Sequence, residues 1–151
     1  MKHNKDKNNE NDNEECEVLS SKTSIFDKNY KIIILGDSGV GKTCLTLRAS
    51  TGEFDSQNLP VPNIYADFNN FCLKYKNNVL KLDIWDTVGQ EEYRSLIKSY
   101  FKDASLVLIV YSINKMNTFK SIEEWIRQVK TECNPDIKIF LIGNKADLED
   151  S

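Results

Sequence analysis

The octet GDSGVGKT, Gly36 to Thr43, combines flexible glycines with a lysine and a hydroxyl in a G-x-x-x-x-G-K-T string. Glycines at these places let a loop turn its backbone N–H groups inward around phosphate oxygens, Lys42 can reach the outer phosphates, and the Thr43 hydroxyl can sit on Mg²⁺. A diphosphate or triphosphate is the natural guest. The loop alone leaves open which nucleoside carries the phosphates, and whether a phosphoryl group is transferred or hydrolysed. A second string, DIWDTVGQEEYRS, offers Asp86 to a Mg²⁺ shell, a Gly89 N–H to a terminal phosphate, and Gln90 to orient a water molecule. A third, NKAD, holds Asn144, Lys145 and Asp147 in an N-K-x-D order of the kind that reads a guanine ring.

Other chemistries are poorly supplied. The single histidine, His3, lies in a polar stretch, which excludes a Ser-His or Cys-His nucleophile pair and a histidine-rich zinc site. Cys16, Cys44, Cys72 and Cys133 are far apart and form no metal-ligand pair spacing, so they read as reduced thiols. A net charge of -3 gives no electrostatic case for nucleic acid as a partner. No apolar run approaches the roughly 18 residues that span a bilayer, and no secretory signal is evident, so a cytoplasmic protein is expected.

The elements that must position these groups follow from hydrophobic patterning. With 151 residues, the chain suits one domain. Residues 1 to 24 are dominated by Lys, Asn, Asp and Glu and are expected to be a disordered polar tail; residues 25 to 151 form the folded domain. Ile32 to Leu35 is a continuous apolar run, the pattern of a strand buried on both faces, and it leads straight into the glycine loop. Phe71, Leu73 and Tyr75 alternate with polar residues, as do Leu80, Leu82 and Ile84, and the KNN between them predicts a hairpin. Leu106 to Tyr111 and Ile137 to Ile142 predict two more buried strands. Between those two, Phe119, Ile122, Trp125, Ile126 and Val129 share one helical face as core residues, with Thr118 and Ser121 as candidate N-terminal caps. Alternating strands and helices predict a mostly parallel sheet covered on both faces, with ligands beyond the carboxyl ends of the strands.

In order and content, GDSGVGKT, KLDIWDTVGQEEYRSLIKSYFKDA and LIGNKAD resemble the Ras superfamily of small GTPases, and within it the Rab branch, over residues 29 to 149. Trp85 with KLDI before it is the more Rab-like feature. The resemblance implies an α/β fold: a P-loop NTPase three-layer sandwich, mostly parallel, with one antiparallel edge hairpin and without the last strand and helix. It implies Mg²⁺ as cofactor and GTP or GDP as ligand, with membrane traffic as the setting. GTP-state effectors, an exchange factor and a GTPase-activating protein are the implied partners.

The implied nucleotide contacts are Asp37, Ser38, Gly39, Val40, Gly41, Lys42, Thr43 and Cys44 from the loop, then Phe54, Gly89, Asn144, Lys145, Asp147 and Leu148. Asn144 and Asp147 would bond the guanine edge, the Lys145 stem would cover the base, and Phe54 would pack on it. Gln90 is the implied catalytic residue, and Thr43, Asp86 and Asn63 are the implied metal set. An ATP-using kinase would leave Asn144 and Asp147 without a role.

Three features depart from the family pattern. Asn63 stands where the family has a Mg²⁺-ligating threonine, and its longer side chain cannot sit identically, which puts sensing of GTP in question. Val88 replaces an alanine in a backbone that must swing, and a β-branched residue there is expected to slow hydrolysis. The sequence ends four residues after Asp147, where the family continues with a strand, a guanine-contacting loop, a helix and a prenylation tail. Membrane association through such a tail is therefore left open, the strand at 137 to 142 is expected to be an exposed apolar edge, and a non-hydrolysing nucleotide-binding or interaction protein is the alternative.

Overall fold

The computed structural model describes residues 16–19, 23, 25–55, 57, 60, 67–87 and 100–148. They include strands β1 (Cys16–Leu19), β2 (Lys28–Leu35), β3 (Asp67–Tyr75), β4 (Asn78–Asp86), β5 (Leu106–Ser112) and β6 (Lys138–Asn144). Helices α1 (Lys42–Thr51), α2 (Met116–Lys120) and α3 (Ile122–Glu132) and a short 3-10 turn at Ala146–Leu148 complete the described elements. The strands form one sheet in the order β1-β3-β4-β2-β5-β6. β2 pairs in parallel with both β4 and β5, β6 extends the parallel half, and β3 pairs antiparallel with β4. The α/β sandwich expected from the patterning is borne out.

β2 lies at the centre of this arrangement because alternate side chains on a strand face opposite sides of the sheet. Ile33 and Leu35 join Phe101, Val107, Ile109, Ile122, Trp125 and Val129 in one core, roofed by α3. Ile32 and Ile34 join Val40, Phe71, Ile84 and Val110 in the other, where Leu45 of α1 packs. A run of four apolar residues is thus two pairs, each belonging to a different layer. Trp85 on β4 lies between Phe68 and Tyr100, with ring centroids 5.1 and 5.2 Å away, and the Lys31 ammonium is 5.3 Å from its ring.

The structure corrects the sequence reading in three places. Cys16–Leu19, inside the stretch expected to be a disordered tail, is a strand paired antiparallel with β3, from Cys16 opposite Tyr75 to Leu19 opposite Cys72. The β3–β4 hairpin is therefore one strand in from the edge. The open main-chain groups of β3 supply pairing that composition does not reveal; residues 1–15 lie outside the described residues.

The second correction is Phe119, which is 51% exposed and meets only the edge of this core, with its ring 5.2 Å from that of Tyr111. Phe119 lies in α2, one turn before Ile122 of α3, and the junction residue Ser121 keeps right-handed helical dihedrals. The third concerns the expected caps: neither Thr118 nor Ser121 makes a side-chain cap at α2 or α3. Thr118 instead accepts from the Ser112 N–H at 3.0 Å and donates towards the Lys115 carbonyl at 2.7 Å, stitching α2 to the end of β5.

β6 is a strand as predicted but not a buried one: at the end of the strand order, its Phe140 and Leu141 are 58% and 52% exposed, the apolar edge also expected there. Among the described residues, no helix is long and apolar enough to cross a membrane.

Ile109 has no exposed surface and lies in the α3-side core. Ile109→Ala is expected to lower unfolding stability by about 2–5 kcal/mol, read from the midpoint and slope of a urea titration.

Candidate functional site

The carboxyl ends of β2, β4, β5 and β6 place the chemistry-bearing groups together. The β2 chain leaves the sheet at Gly36, where a Cβ would lie 2.1 Å from the Val110 carbonyl oxygen and where φ is +139°. Only a residue without a side chain lets the loop start this close to β5. Gly41 closes the loop with φ +101°, and a Cβ there would meet the Asn144 amide nitrogen at 2.3 Å. Its carbonyl accepts the Leu45 N–H at 3.0 Å, the first turn of α1. The glycines therefore set two close approaches, one to β5 and one to the side chain at the end of β6.

Lys42 is folded into the loop rather than out into water. Its ammonium donates to the Gly36 carbonyl at 2.8 Å and the Asp37 carbonyl at 2.9 Å. Burial pulls its pKa down from 10.5 to about 8, against the opposing pull of the Asp86 and Asp37 carboxylates. A desolvated cation of this kind favours a nearby anion, and a phosphate oxygen is a suitable one.

Beside it, the Thr43 hydroxyl donates to Asp86 Oδ2 at 2.5 Å. Burial raises the Asp86 carboxyl above its ordinary range, while the Thr43 hydrogen bond and then the Lys42 charge oppose that shift. Asp86 is 1% exposed, and its Oδ1 has no hydrogen-bond partner among the described residues. An unpartnered buried carboxylate oxygen is costly and calls for a ligand. Asp86 and Thr43 are adjacent hard oxygen donors and fit Mg²⁺, which takes few protein ligands and keeps water and phosphate oxygens for the rest. Among the described residues, no cluster of three or more His, Cys, Asp or Glu side chains could hold a metal ion. Asn63, the third expected ligand, lies outside the described residues.

The N-K-x-D string is tied to the same loop. Asn144 at the end of β6 donates its Nδ2 to the Val40 carbonyl at 2.8 Å, and Lys145 donates its ammonium to the Gly39 carbonyl at 2.7 Å. The expected guanine contact of Asn144 is thus preceded by a different duty, holding the phosphate loop against β6. The Asp147 carboxylate is exposed on the 3-10 turn, where the Leu148 N–H donates to the Lys145 carbonyl at 3.0 Å. Ser38 and Gly39 are exposed at the loop's outer turn, Val40 is packed into the core, and Cys44 is partly buried in α1. Phe54, beyond the end of α1, is 58% exposed. Val88, Gly89 and Gln90 lie outside the described residues.

Three contributors escaped the sequence reading. Thr87 is buried and donates its hydroxyl to the Ile34 carbonyl at 2.6 Å, pinning the end of β4 to the strand that carries the loop. Its place directly after Asp86 is the one local hint. Ser121 and Trp125 reach Asp37 from more than eighty positions away, a contact for which no local pattern exists.

Comparison with known proteins agrees with this geometry. The Ras family profile matches residues 31–151. The chain is 41% identical to the Ras-related protein Rab-11B of Dictyostelium discoideum over 129 residues, covering 85% of this chain and 58% of that protein. Against Rab-26 of Mus musculus it is 36% identical, over 85% of this chain and 49% of the relative. Against RABA1b of Arabidopsis thaliana it is 37% identical, over 82% and 56%. The chain therefore spans about half to three-fifths of the length of these relatives. With the loop, the acidic strand end and the tethered N-K-x-D string in the same order, the chain is a Rab-like member of the Ras family.

Proposed function

We propose that the chain is a guanine-nucleotide-binding switch that hydrolyses GTP to GDP and acts in membrane traffic. The observation that carries this reading is the joining of two recognition elements: Asn144 and Lys145 both bond the loop that holds Lys42 and Thr43. A phosphate site and a base-reading string held this way suit one nucleotide lying across the strand ends.

The loop N–H groups and Lys42 bind and orient the phosphates, and the buried Asp86 carboxylate and Thr43 hydroxyl hold Mg²⁺. When bound there, Mg²⁺ would supply charge neutralisation to the phosphates. Gln90 orients a water whose oxygen bonds to the γ-phosphorus as the bond to the bridging oxygen breaks and the water's proton passes to the released phosphate, leaving GDP and phosphate. Asp147 accepts hydrogen bonds from the guanine edge and rejects adenine, and the Lys145 stem and Phe54 cover the base.

Contacts to the γ-phosphate order two loops that effectors read, and their loss on hydrolysis releases those partners. An exchange factor then replaces GDP, and an activating protein's arginine accelerates hydrolysis by roughly 10³ to 10⁵-fold. Residence at the cytoplasmic face of an internal membrane fits this cycle. A second reading, guanine-nucleotide binding without turnover, is favoured by Asn63 and Val88 at positions where the family has other residues.

Purified protein is expected to turn over GTP slowly and only with Mg²⁺, measured as phosphate release over hours; binding of GDP and GTP with equal affinity and no turnover would select the second reading. Asp147→Asn is expected to weaken GDP binding by on the order of 10²-fold, because one of two acceptors becomes a donor facing a donor. Xanthosine diphosphate should bind this variant better than GDP does. Gly41→Ala is expected to weaken Mg²⁺–GDP binding about tenfold or more in equilibrium titration, since its Cβ displaces the Asn144 amide from the loop.

A further inference from the structure

Asp37 introduces a carboxylate into a loop built for polyphosphate, where a second anion is electrostatically unfavourable unless it is held aside. It is held aside here. Its Oδ2 accepts from the Ser121 hydroxyl at 2.8 Å and its Oδ1 from the Trp125 indole N–H at 2.9 Å. Both donors come from the start of α3, and Trp125 is itself fixed in the α3-side core with Ile33 and Val107. The main chain of Asp37 is anchored separately, by the Lys42 ammonium on its carbonyl and by the close approach of Gly36 to Val110. Side chain and backbone are therefore fastened to different parts of the fold.

We propose that Ser121 and Trp125 are positioning residues for the phosphate-binding loop: by gripping the Asp37 carboxylate they lock the loop to α3 and slow nucleotide release. This rests on the nucleotide-binding reading above. The Ser121 hydroxyl carries one proton and has two acceptors in reach, Asp37 Oδ2 at 2.8 Å and the Asn117 carbonyl at 3.1 Å. The shorter, charged partner is the stronger. The buried indole N–H donates to the carboxylate, so a shift of α3 is transmitted to the start of the loop. α3 becomes a second handle on nucleotide exchange, acting at Asp37 where Asn144 acts at Val40.

The test uses the full chain with a fluorescent GDP analogue and Mg²⁺, comparing Ser121→Ala, Ser121→Thr and Trp125→Phe with wild type. Ser121→Ala and Trp125→Phe are each expected to speed GDP release about tenfold, the loss of one hydrogen bond to a charged group. Ser121→Thr, which keeps the hydroxyl, should restore slow release. In an Asp37→Ala background, Ser121→Ala should add no further acceleration, because the shared partner is gone. Amide hydrogen exchange over residues 36–43 of the nucleotide-free protein is expected to rise in Ser121→Ala and Trp125→Phe.

Unchanged release together with unchanged exchange overturns the proposal, and so does an equal acceleration in the Asp37→Ala background. If wild type binds no GDP, the functional reading fails, and hydrogen exchange alone decides the positioning role. If Trp125→Phe does not fold, the Ser121→Ala and Ser121→Thr pair decides it.

Discussion

Everything at the strand ends depends on a buried cation, Lys42, and on the oxygens that compensate it. With 6% of its surface exposed, the side chain has lost almost all of its water, and two main-chain carbonyls and the Asp86 and Asp37 carboxylates stand in for it. The loop is curled around the ammonium because main-chain oxygens must approach it, and that curl needs the positive φ of Gly36 and Gly41. Asp86 reaches the same spot because β4 pairs in parallel with β2 and sets Asp86 beside Ile34. A one-residue error in that pairing would turn the carboxylate to the other face and leave the lysine buried with less opposing charge. Strand register and site electrostatics are one constraint seen at two scales.

Three tethers then fasten the loop and the strand that carries it to the rest of the molecule. Thr87 binds the end of β4 to β2, Asn144 and Lys145 bind the loop from β6, and Ser121 and Trp125 bind it from α3. Asn144 and Lys145 satisfy the Val40 and Gly39 carbonyls, which have no ladder partner in the loop, whereas Ser121 and Trp125 satisfy the Asp37 carboxylate. Residues 36–41 belong to no regular element, yet they are held by side chains from α1, from the end of β6 and from the start of α3.

Much of this was legible in the amino-acid sequence because the information is local. The apolar run before Gly36, the two alternating segments around KNN, and the spacing of glycine, lysine and threonine each fit within one element, and each was found where expected. Asp86 was legible as a strand-end carboxylate. What escaped reading is nonlocal. β1 forms because β3 has open main-chain groups, a property of the neighbour and not of the CEVL sequence. Phe119 has the right helical spacing for the core, but it lies in α2 before the helix that roofs the core and meets only Tyr111 at its margin. Ser121 sits where a cap is wanted and serves a carboxylate across the fold instead; side-chain chemistry proposed both, and tertiary geometry selected one.

β2 also has the character of a measuring rod. Its four apolar residues are dealt alternately to two cores, and the last of them delivers the chain to Gly36 against Val110. Adding or removing a single residue there would exchange the contents of the two layers and displace the loop by about 3.3 Å along the strand. At the Lys76–Asn77 turn between β3 and β4, by contrast, an added residue lengthens an exposed connection at little thermodynamic cost. Tolerance to changes in length is therefore distributed very unevenly: the strand before the loop is inelastic, and the hairpin tip at the far end of the sheet is where the chain can vary in length.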